Sequence, residues 1–230
     1  MKLSPSHLNR FPDLNDLYKL DHPSGEVDPS GLLAYGGDFK VETLFEAYFK
    51  GIFPWPEGPY TYLWFSPPER GVLDFDEIHI PRSLQKLIDK NPYTFTINEN
   101  FKEVVLNCAE KKRKHQKGTW IIPEIIEAYL EFHDAGFAKS LECWKDNELV
   151  GGIYGVCVEG VFSGESMFGK EDNVSKLCLY QLIQHLKSKG FEWMDIQMVT
   201  DVTGRLGGQY IPRKKFLDRL KLAHKNPKSF

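Results

Sequence analysis

Cysteine is scarce in this sequence, and what there is has no arrangement for metal. Cys108, Cys143, Cys157 and Cys178 form no C-x-x-C pair and no ligand spacing, which argues against a zinc site or a disulfide framework. Most of them fall in apolar strand or helix patterns, as core thiols do. Long hydrophobic runs are missing too: nothing approaches the ~18 apolar residues that a membrane span needs. The N-terminus is polar and broken by Pro5 and Pro12, unlike a secretory leader. An excess of one charge is also lacking. The net charge of −3 gives no global basic field for nucleic acid. There is no internal repeat. These absences lead us to expect a reduced, cytoplasmic monomer with no metal, no cofactor and no membrane partner. What is present, 41% hydrophobic and 13% aromatic residues over 230 positions, suffices for one large domain or two unequal ones.

Residues 1–35 are rich in Pro, Asp and Asn and read as extended segments and turns. Val41, Leu44, Phe45, Tyr48 and Phe49 recur at helical spacing, so an amphipathic helix is expected there, stopped by Gly51. Residues 52–68 carry aromatics among prolines and read as an irregular, stiffened loop. A boundary at 68 then divides a small N-terminal domain, 1–68, from a larger one, 69–230.

The larger part alternates strands and helices. A strand at 72–80 precedes a short helix at 83–90. A strand at 93–97 leads to a helix capped by Asn98 and running to about 112. Pro123 opens a helix that Gly136 closes. Strands at 138–144 and 148–158 turn at Asp146-Asn147, and Glu159-Gly160 turns the chain into 161–164. A helix at 173–189 ends at Gly190, a strand covers 191–197, and Pro212 opens a last basic helix. This order predicts an α+β fold with a mixed, largely antiparallel sheet. It resembles the N-acetyltransferase (GNAT-like) layout.

Four features carry potential chemistry. Gly164-Glu165-Ser166-Met167-Phe168 sets a carboxylate among large apolar side chains, where it is costly unless paired. It pairs structurally with Lys176, caps a helix N-terminus, or accepts from a cationic amine in a pocket. In Trp193-Met194-Asp195-Ile196-Gln197, period-two alternation puts Asp195 and Gln197 on one strand face. They are a strand end reaching solvent, or a general base with an orienting amide. Trp55, Trp64 and Trp120 lie in short Gly/Pro-flanked segments, suited to core packing or to stacking on a base. Two basic clusters, Lys111, Lys112, Arg113 and Lys114, and Arg213, Lys214 and Lys215, are solvated faces or phosphate contacts.

Taken together, several segments resemble the leucyl/phenylalanyl-tRNA–protein transferase family. They are Gly36-Gly37-Asp38, Gly51-Ile52-Phe53-Pro54-Trp55, Trp64-Phe65-Ser66-Pro67 with Arg70, Thr119-Trp120-Ile121, Gly151-Gly152-Ile153-Tyr154-Gly155, Gly164 to Phe168, Asn173-Val174-Ser175-Lys176, Asp195-Ile196-Gln197 and Ile211-Pro212-Arg213. They keep family order from about residue 12 to 220. The resemblance implies transfer of Leu or Phe from Leu-tRNA or Phe-tRNA to acceptor proteins beginning with Arg or Lys, tagging them for degradation. It implies that Trp55 and Trp120 flank the terminal adenine, and that Asp195 and Gln197 assist proton transfer. Glu165 would hydrogen-bond at the reacting centre, with Tyr48 nearby. Ile153, Phe162 and Met194 would line the side-chain pocket, completed by Leu179, Leu182 and Leu186. The basic clusters would hold the tRNA backbone. The chain departs from the family pattern at Val202 and Arg205, where His and Ser are usual, and at Phe65, where a second Trp is usual.

Two other readings fit parts of the sequence. One is a coenzyme-A-dependent N-acetyltransferase, although residues 168–173 lack the basic Gly-rich pyrophosphate turn and carry two acids. The other is a non-catalytic tRNA-binding module, which leaves Glu165, Asp195 and Gln197 without a purpose.

Overall fold

The computed structural model describes residues 11–19, 30–57, 61–90, 92–111 and 119–230. A short helix, α1 (Leu14–Lys19), and a strand, β1 (Leu32–Tyr35), precede α2 (Val41–Phe49), the amphipathic helix that the apolar spacing requires. Gly51 takes a φ of 74°, a left-handed value that ends the helix. The stretch expected to be irregular instead contributes β2 (Phe53–Pro54) and β3 (Leu63–Phe65), in a sheet of order β1-β3-β2. Pro54 sits on its edge strand, where a missing N–H costs little.

In the larger part, β4 (Glu69–Asp74) starts earlier and stops sooner than 72–80. After α3 (Arg82–Lys90) and β5 (Thr94–Ile97), α4 (Phe101–Glu110) begins at Asn100, not Asn98. Asn98 has a left-handed backbone, and its Oδ1 accepts the Ser140 N–H at 2.9 Å, tying two strands together. Pro123 occupies the first turn of α5 (Pro123–Asp134), as expected. A meander follows: β6 (Ala138–Lys145), β7 (Glu148–Val158) and β8 (Val161–Gly169). Asp146-Asn147 and Glu159-Gly160 have positive φ at both positions, the backbone that two-residue hairpins need. β8 runs well past residue 164, so Glu165 lies inside a strand. α6 (Val174–Ser188) and β9 (Trp193–Gln197) match expectation. α7 (Asp201–Arg205) and β10 (Gln209–Pro212) are additions before α8 (Arg213–Lys225).

The expected α+β fold and mixed sheet hold. Among the described residues the large sheet has the order β10-β4-β9-β8-β7-β6-β5, antiparallel except at β8–β9. Residues of α2, α4, α5 and α8 pack one face, together with Phe53 and Trp64 of the small sheet. Residues of α3 and α6 pack the other. No described helix is long and apolar enough to cross a membrane.

One feature of the topology positions the site. β8 and β9 pair in parallel only at Ser163 and Asp195. Beyond that point β8 stays with β7 as far as Gly169, and β9 stays with β4. The two strands therefore part, and the backbone edges between them open inside the protein.

Candidate active site

Where β8 and β9 separate lies a cleft of about 550 Å³. Glu165, Ser166 and Met167 line it from β8, and Ile196, Gln197 and Met198 from the end of β9. Ile153, Leu179 and Met194 line it while being almost wholly buried, so they form its deep apolar end. Trp55, Met198, Thr200 and Asp201 are more exposed and mark its rim. Thr200 fixes that rim: its hydroxyl caps α7 by accepting from the Thr203 N–H, and Thr203 returns a bond to the Thr200 N–H.

Glu165 is the polar centre. Its Oε1 accepts from Tyr48 Oη of α2 at 2.8 Å and from Gln197 Nε2 at 2.8 Å. Its Oε2 lies 3.4 Å from Tyr129 Oη of α5. The Tyr48 and Tyr129 hydroxyls also bond each other closely. Burial pushes the Glu165 carboxyl up to about 7, against the opposing effect of the Tyr48 hydrogen bond. Burial first, and then the Glu165 charge, raise both tyrosines well above the ordinary phenol value. Neither phenol ionises in the physiological range, so both act as hydroxyl groups.

Asp195 lies behind Gln197 and does not line the cleft. It forms a two-pronged ion pair with Arg70, with Nε–Oδ1 at 2.8 Å and Nη2–Oδ2 at 2.7 Å. Ser163 Oγ donates to the same carboxylate at 3.0 Å. The Gln197 N–H donates to it at 2.9 Å. Phe53 and Phe216 cover the Arg70 guanidinium, each ring centroid 4.6 Å away. Gln197 has a φ of 54°, disfavoured for a non-glycine residue and held by that backbone bond to Asp195. Gly71 makes room for this turn, because a Cβ there would lie 2.8 Å from the Met198 backbone.

Trp55 and Trp120 stack on each other, ring centroids 5.5 Å apart and planes 21° from parallel. Both line the cleft. Lys111 lines it as well, its Nζ 3.3 Å from the Met167 carbonyl oxygen. Lys112, Arg113 and Lys114 lie outside the described residues.

Several sequence expectations need correction. Phe162, Leu182 and Leu186 do not line the cleft; they are buried in the core layer behind it, and Phe162 stacks on Phe230. Arg213 is no surface phosphate contact. It is 1% exposed and donates to the Ser66 carbonyl, whereas Lys214 and Lys215 are exposed on α8. Glu165 finds its partners in tyrosines and an amide, and Lys176 bonds Asn173. Tyr129, Arg70 and Met167 join the site only through the fold. Tyr129 sits mid-helix among apolar neighbours, and nothing local separates it from core.

The chain matches two family descriptions in succession. Residues 37–68 match the N-terminal domain of leucyl/phenylalanyl-tRNA protein transferase, and residues 72–221 match leucyl/phenylalanyl-tRNA protein transferase itself. A protein of that name from Pseudoalteromonas atlantica is 47% identical over 87% of this chain and 86% of its own length. Another from Maridesulfovibrio salexigens is 44% identical over 90% of this chain and 86% of its own length. Among solved structures, a GCN5-related N-acetyltransferase-like protein from Streptococcus suis aligns with 86% of this chain and 64% of its own, at 13% identity and a TM-score of 0.36. By the matched models and the identity of its relatives, the chain belongs to the leucyl/phenylalanyl-tRNA–protein transferase family of aminoacyltransferases.

Proposed function

We propose that the cleft carries out aminolysis of an aminoacyl ester. Leu or Phe passes from the 3′ end of Leu-tRNA or Phe-tRNA to the N-terminal α-amine of an acceptor protein beginning with Arg or Lys. The product carries a new N-terminal residue that marks it for degradation in the cytoplasm. The single observation that carries this reading is Glu165, held by Tyr48 and Gln197 at the edge of an apolar cleft.

An α-amine with an ordinary pKa of about 8 must reach the ester as the free base. A carboxylate poised at about 7 suits it as proton acceptor, because general bases work best near the operating pH. The amine nitrogen attacks the ester carbonyl carbon, and Glu165 receives the proton that the nitrogen sheds. The tetrahedral intermediate then expels the ribose oxygen, which takes that proton and leaves as a hydroxyl. An amide bond has replaced an ester bond, and no redox partner is needed. Holding amine and ester together supplies roughly 7–11 kcal/mol of the barrier. One Gln197 amide hydrogen fixes Glu165, and the other serves the developing oxyanion.

Asp195 takes a supporting part in this scheme. Its carboxylate is engaged by Arg70, Ser163 and the Gln197 N–H, so it holds the strained turn that presents the Gln197 amide. The terminal adenine stacks against the Trp55–Trp120 pair, and Ile153, Leu179 and Met194 receive the transferred side chain. Exposed Asp201 on the rim meets the acceptor's cationic side chain. Lys214 and Lys215 face tRNA phosphates.

The test is incubation with labelled Leu-tRNA and an Arg-initiated peptide. Label is expected on the peptide with the unaltered protein and is lost with Glu165→Gln. Absence of label with the unaltered protein refutes the proposal.

A further inference from the structure

The tyrosines beneath Glu165 form a ring whose proton count depends on the carboxyl group. Tyr48, Tyr129 and Glu165 touch one another pairwise. Tyr48 Oη meets Glu165 Oε1, Tyr129 Oη faces Glu165 Oε2, and the two phenol oxygens bond each other. Each phenol has one proton to give. With Glu165 ionised, two protons serve three contacts, so one contact sets lone pair against lone pair. With Glu165 neutral, three protons serve three contacts and the ring closes.

The two carboxylate oxygens are not equivalent. Oε1 accepts from both Tyr48 and Gln197 at 2.8 Å. Oε2 meets Tyr129 alone among the described residues, at 3.4 Å. An oxygen already accepting two hydrogen bonds is the poorer place for a new proton. The charged and titratable groups facing Glu165 are Tyr48 of α2, Tyr129 of α5, Asp195 of β9 and Arg70 of β4, with Lys111 on the wall of the same cleft. Asp195 and Arg70 pair with each other, so the two tyrosines and the Gln197 amide differentiate the two oxygens.

We propose that Glu165 carries its proton on Oε2 and donates it to Tyr129 Oη, making Tyr129 the positioning residue that lets the carboxylate act as a proton acceptor. Tyr129 donates to Tyr48, and Tyr48 donates to Oε1. The N–H bond of the attacking amine breaks, an O–H bond forms at Oε2, and the new hydrogen meets the free lone pair of Tyr129. Neither phenol proton leaves its oxygen. The catalytic part of this inference rests on the aminolysis reading; the ring itself does not.

The test needs no substrate. Infrared titration of the Glu165 carboxyl compares the unaltered protein with Tyr129→Phe, using Glu165→Gln to identify the band. Phe keeps the aromatic packing against Tyr154 and removes only the hydroxyl. The neutral form then loses two contacts and the ionised form one, so the midpoint falls by roughly half to one pH unit. A midpoint that rises, as it would if Tyr129 only donated to an ionised carboxylate, overturns the ring; so does one that stays put.

A second variant guards against misfolding of the first. In Glu165→Gln the amide nitrogen at the Oε2 position donates permanently to Tyr129 and closes the ring at every pH. Its thermal midpoint is expected to exceed that of the unaltered protein at about pH 8.5. A lower midpoint at every pH overturns the proposal. A lowered Tyr129→Phe titration in a protein that transfers no label supports the ring while refuting the aminolysis reading.

Discussion

Arg70 and Asp195 are locked together in the interior by two hydrogen bonds, with each side chain 1% exposed. Removing one partner strands the other's charge, at a cost of about 3–5 kcal/mol. Asp195→Ala and Arg70→Ala should each lose that much in denaturant unfolding. Both should also slow transfer, because the Gln197 turn loses its anchor. Asp195→Asn separates anchoring from proton acceptance. Its pH–rate profile should keep the acid limb of the unaltered enzyme at reduced amplitude. Disappearance of the limb in that variant would return the base role to Asp195.

The Glu165 carboxyl gives a second prediction, with opposite signs for stability and rate. Its value is about 7 in the folded chain against an ordinary 4.5. The folded state therefore binds the proton more tightly than the unfolded chain does. That contribution to stability is fully present below pH 4.5 and is lost as pH rises through 7. It is worth roughly 3 kcal/mol at most. Transfer should move the other way, rising through the same range as the free carboxylate appears. Glu165→Gln should flatten the stability profile and lower the single-turnover rate by about 10²–10⁴-fold. Thermal unfolding and rapid-quench kinetics across pH 4–9 check both halves.

The stacked tryptophans bear on binding of the donor. At 5.5 Å between centroids the pair leaves no room for a purine between its rings. In the proposed function, the terminal adenine would therefore use an outer face of the pair or part the two rings. Trp55 is the more exposed ring, so Trp55→Ala should raise Kd for aminoacyl-tRNA with little loss of stability, by about 1–3 kcal/mol. Trp55→Phe should restore most of it. Trp120 is 6% exposed, and its replacement by Ala should cost binding and folding together. Filter binding alongside unfolding curves distinguishes the two positions.

How far the sequence revealed this arrangement depends on the distance over which each signal acts. Pro123, Gly136, Asp146-Asn147, Glu159-Gly160 and Gly190 state their turns locally, and the helices and the β6–β8 meander followed from them. The β2 and β3 strands stayed hidden because prolines usually end strands, and only the edge position of β2 makes Pro54 acceptable. The three-residue β3 and five-residue α7 are too short for periodicity to register. Glu165 and Gln197 were legible as polar side chains in apolar strands. The ion pair of Asp195 was not, since a carboxylate in a strand shows no partner until Arg70, 125 positions away, is seen beside it. Tyr129 likewise follows the helical period of its core neighbours and is identified only by what its hydroxyl reaches.

The two basic clusters should separate by function. Lys214 and Lys215 are exposed, and charge reversal at either should weaken tRNA binding and reduce the salt slope by about one counterion. Arg213 is buried against the Ser66 carbonyl. Arg213→Ala should unfold at lower denaturant while the salt slope of tRNA binding stays unchanged. A slope that falls in Arg213→Ala would place its guanidinium on phosphate after all.

Side-chain selection should follow the shape of the cleft where the strands part. Gly164 stands at that point, and a Cβ there would lie 2.8 Å from Met194 Cε. The deep end beyond it is lined by Ile153, Leu179 and Met194. Leu and Phe carry only a methylene at Cβ and would pass a narrow entrance before widening. Ile and Val, branched at Cβ, would be obstructed there. Apolar pockets discriminate by about 1–3 kcal/mol per misplaced methyl or methylene, so Leu should be preferred to Ile by roughly 10–200-fold in kcat/KM from matched tRNAs. Gly164→Ala adds a methyl on one side of the cleft, and the Met194 Cε methyl must move to accommodate it. The substitution should therefore slow Phe more than Leu while leaving tRNA affinity unchanged. Equal transfer of Leu and Ile by the unaltered enzyme would remove the steric account, and equal slowing of Leu and Phe by Gly164→Ala would move the selecting contact deeper, to Leu179 and Ile153.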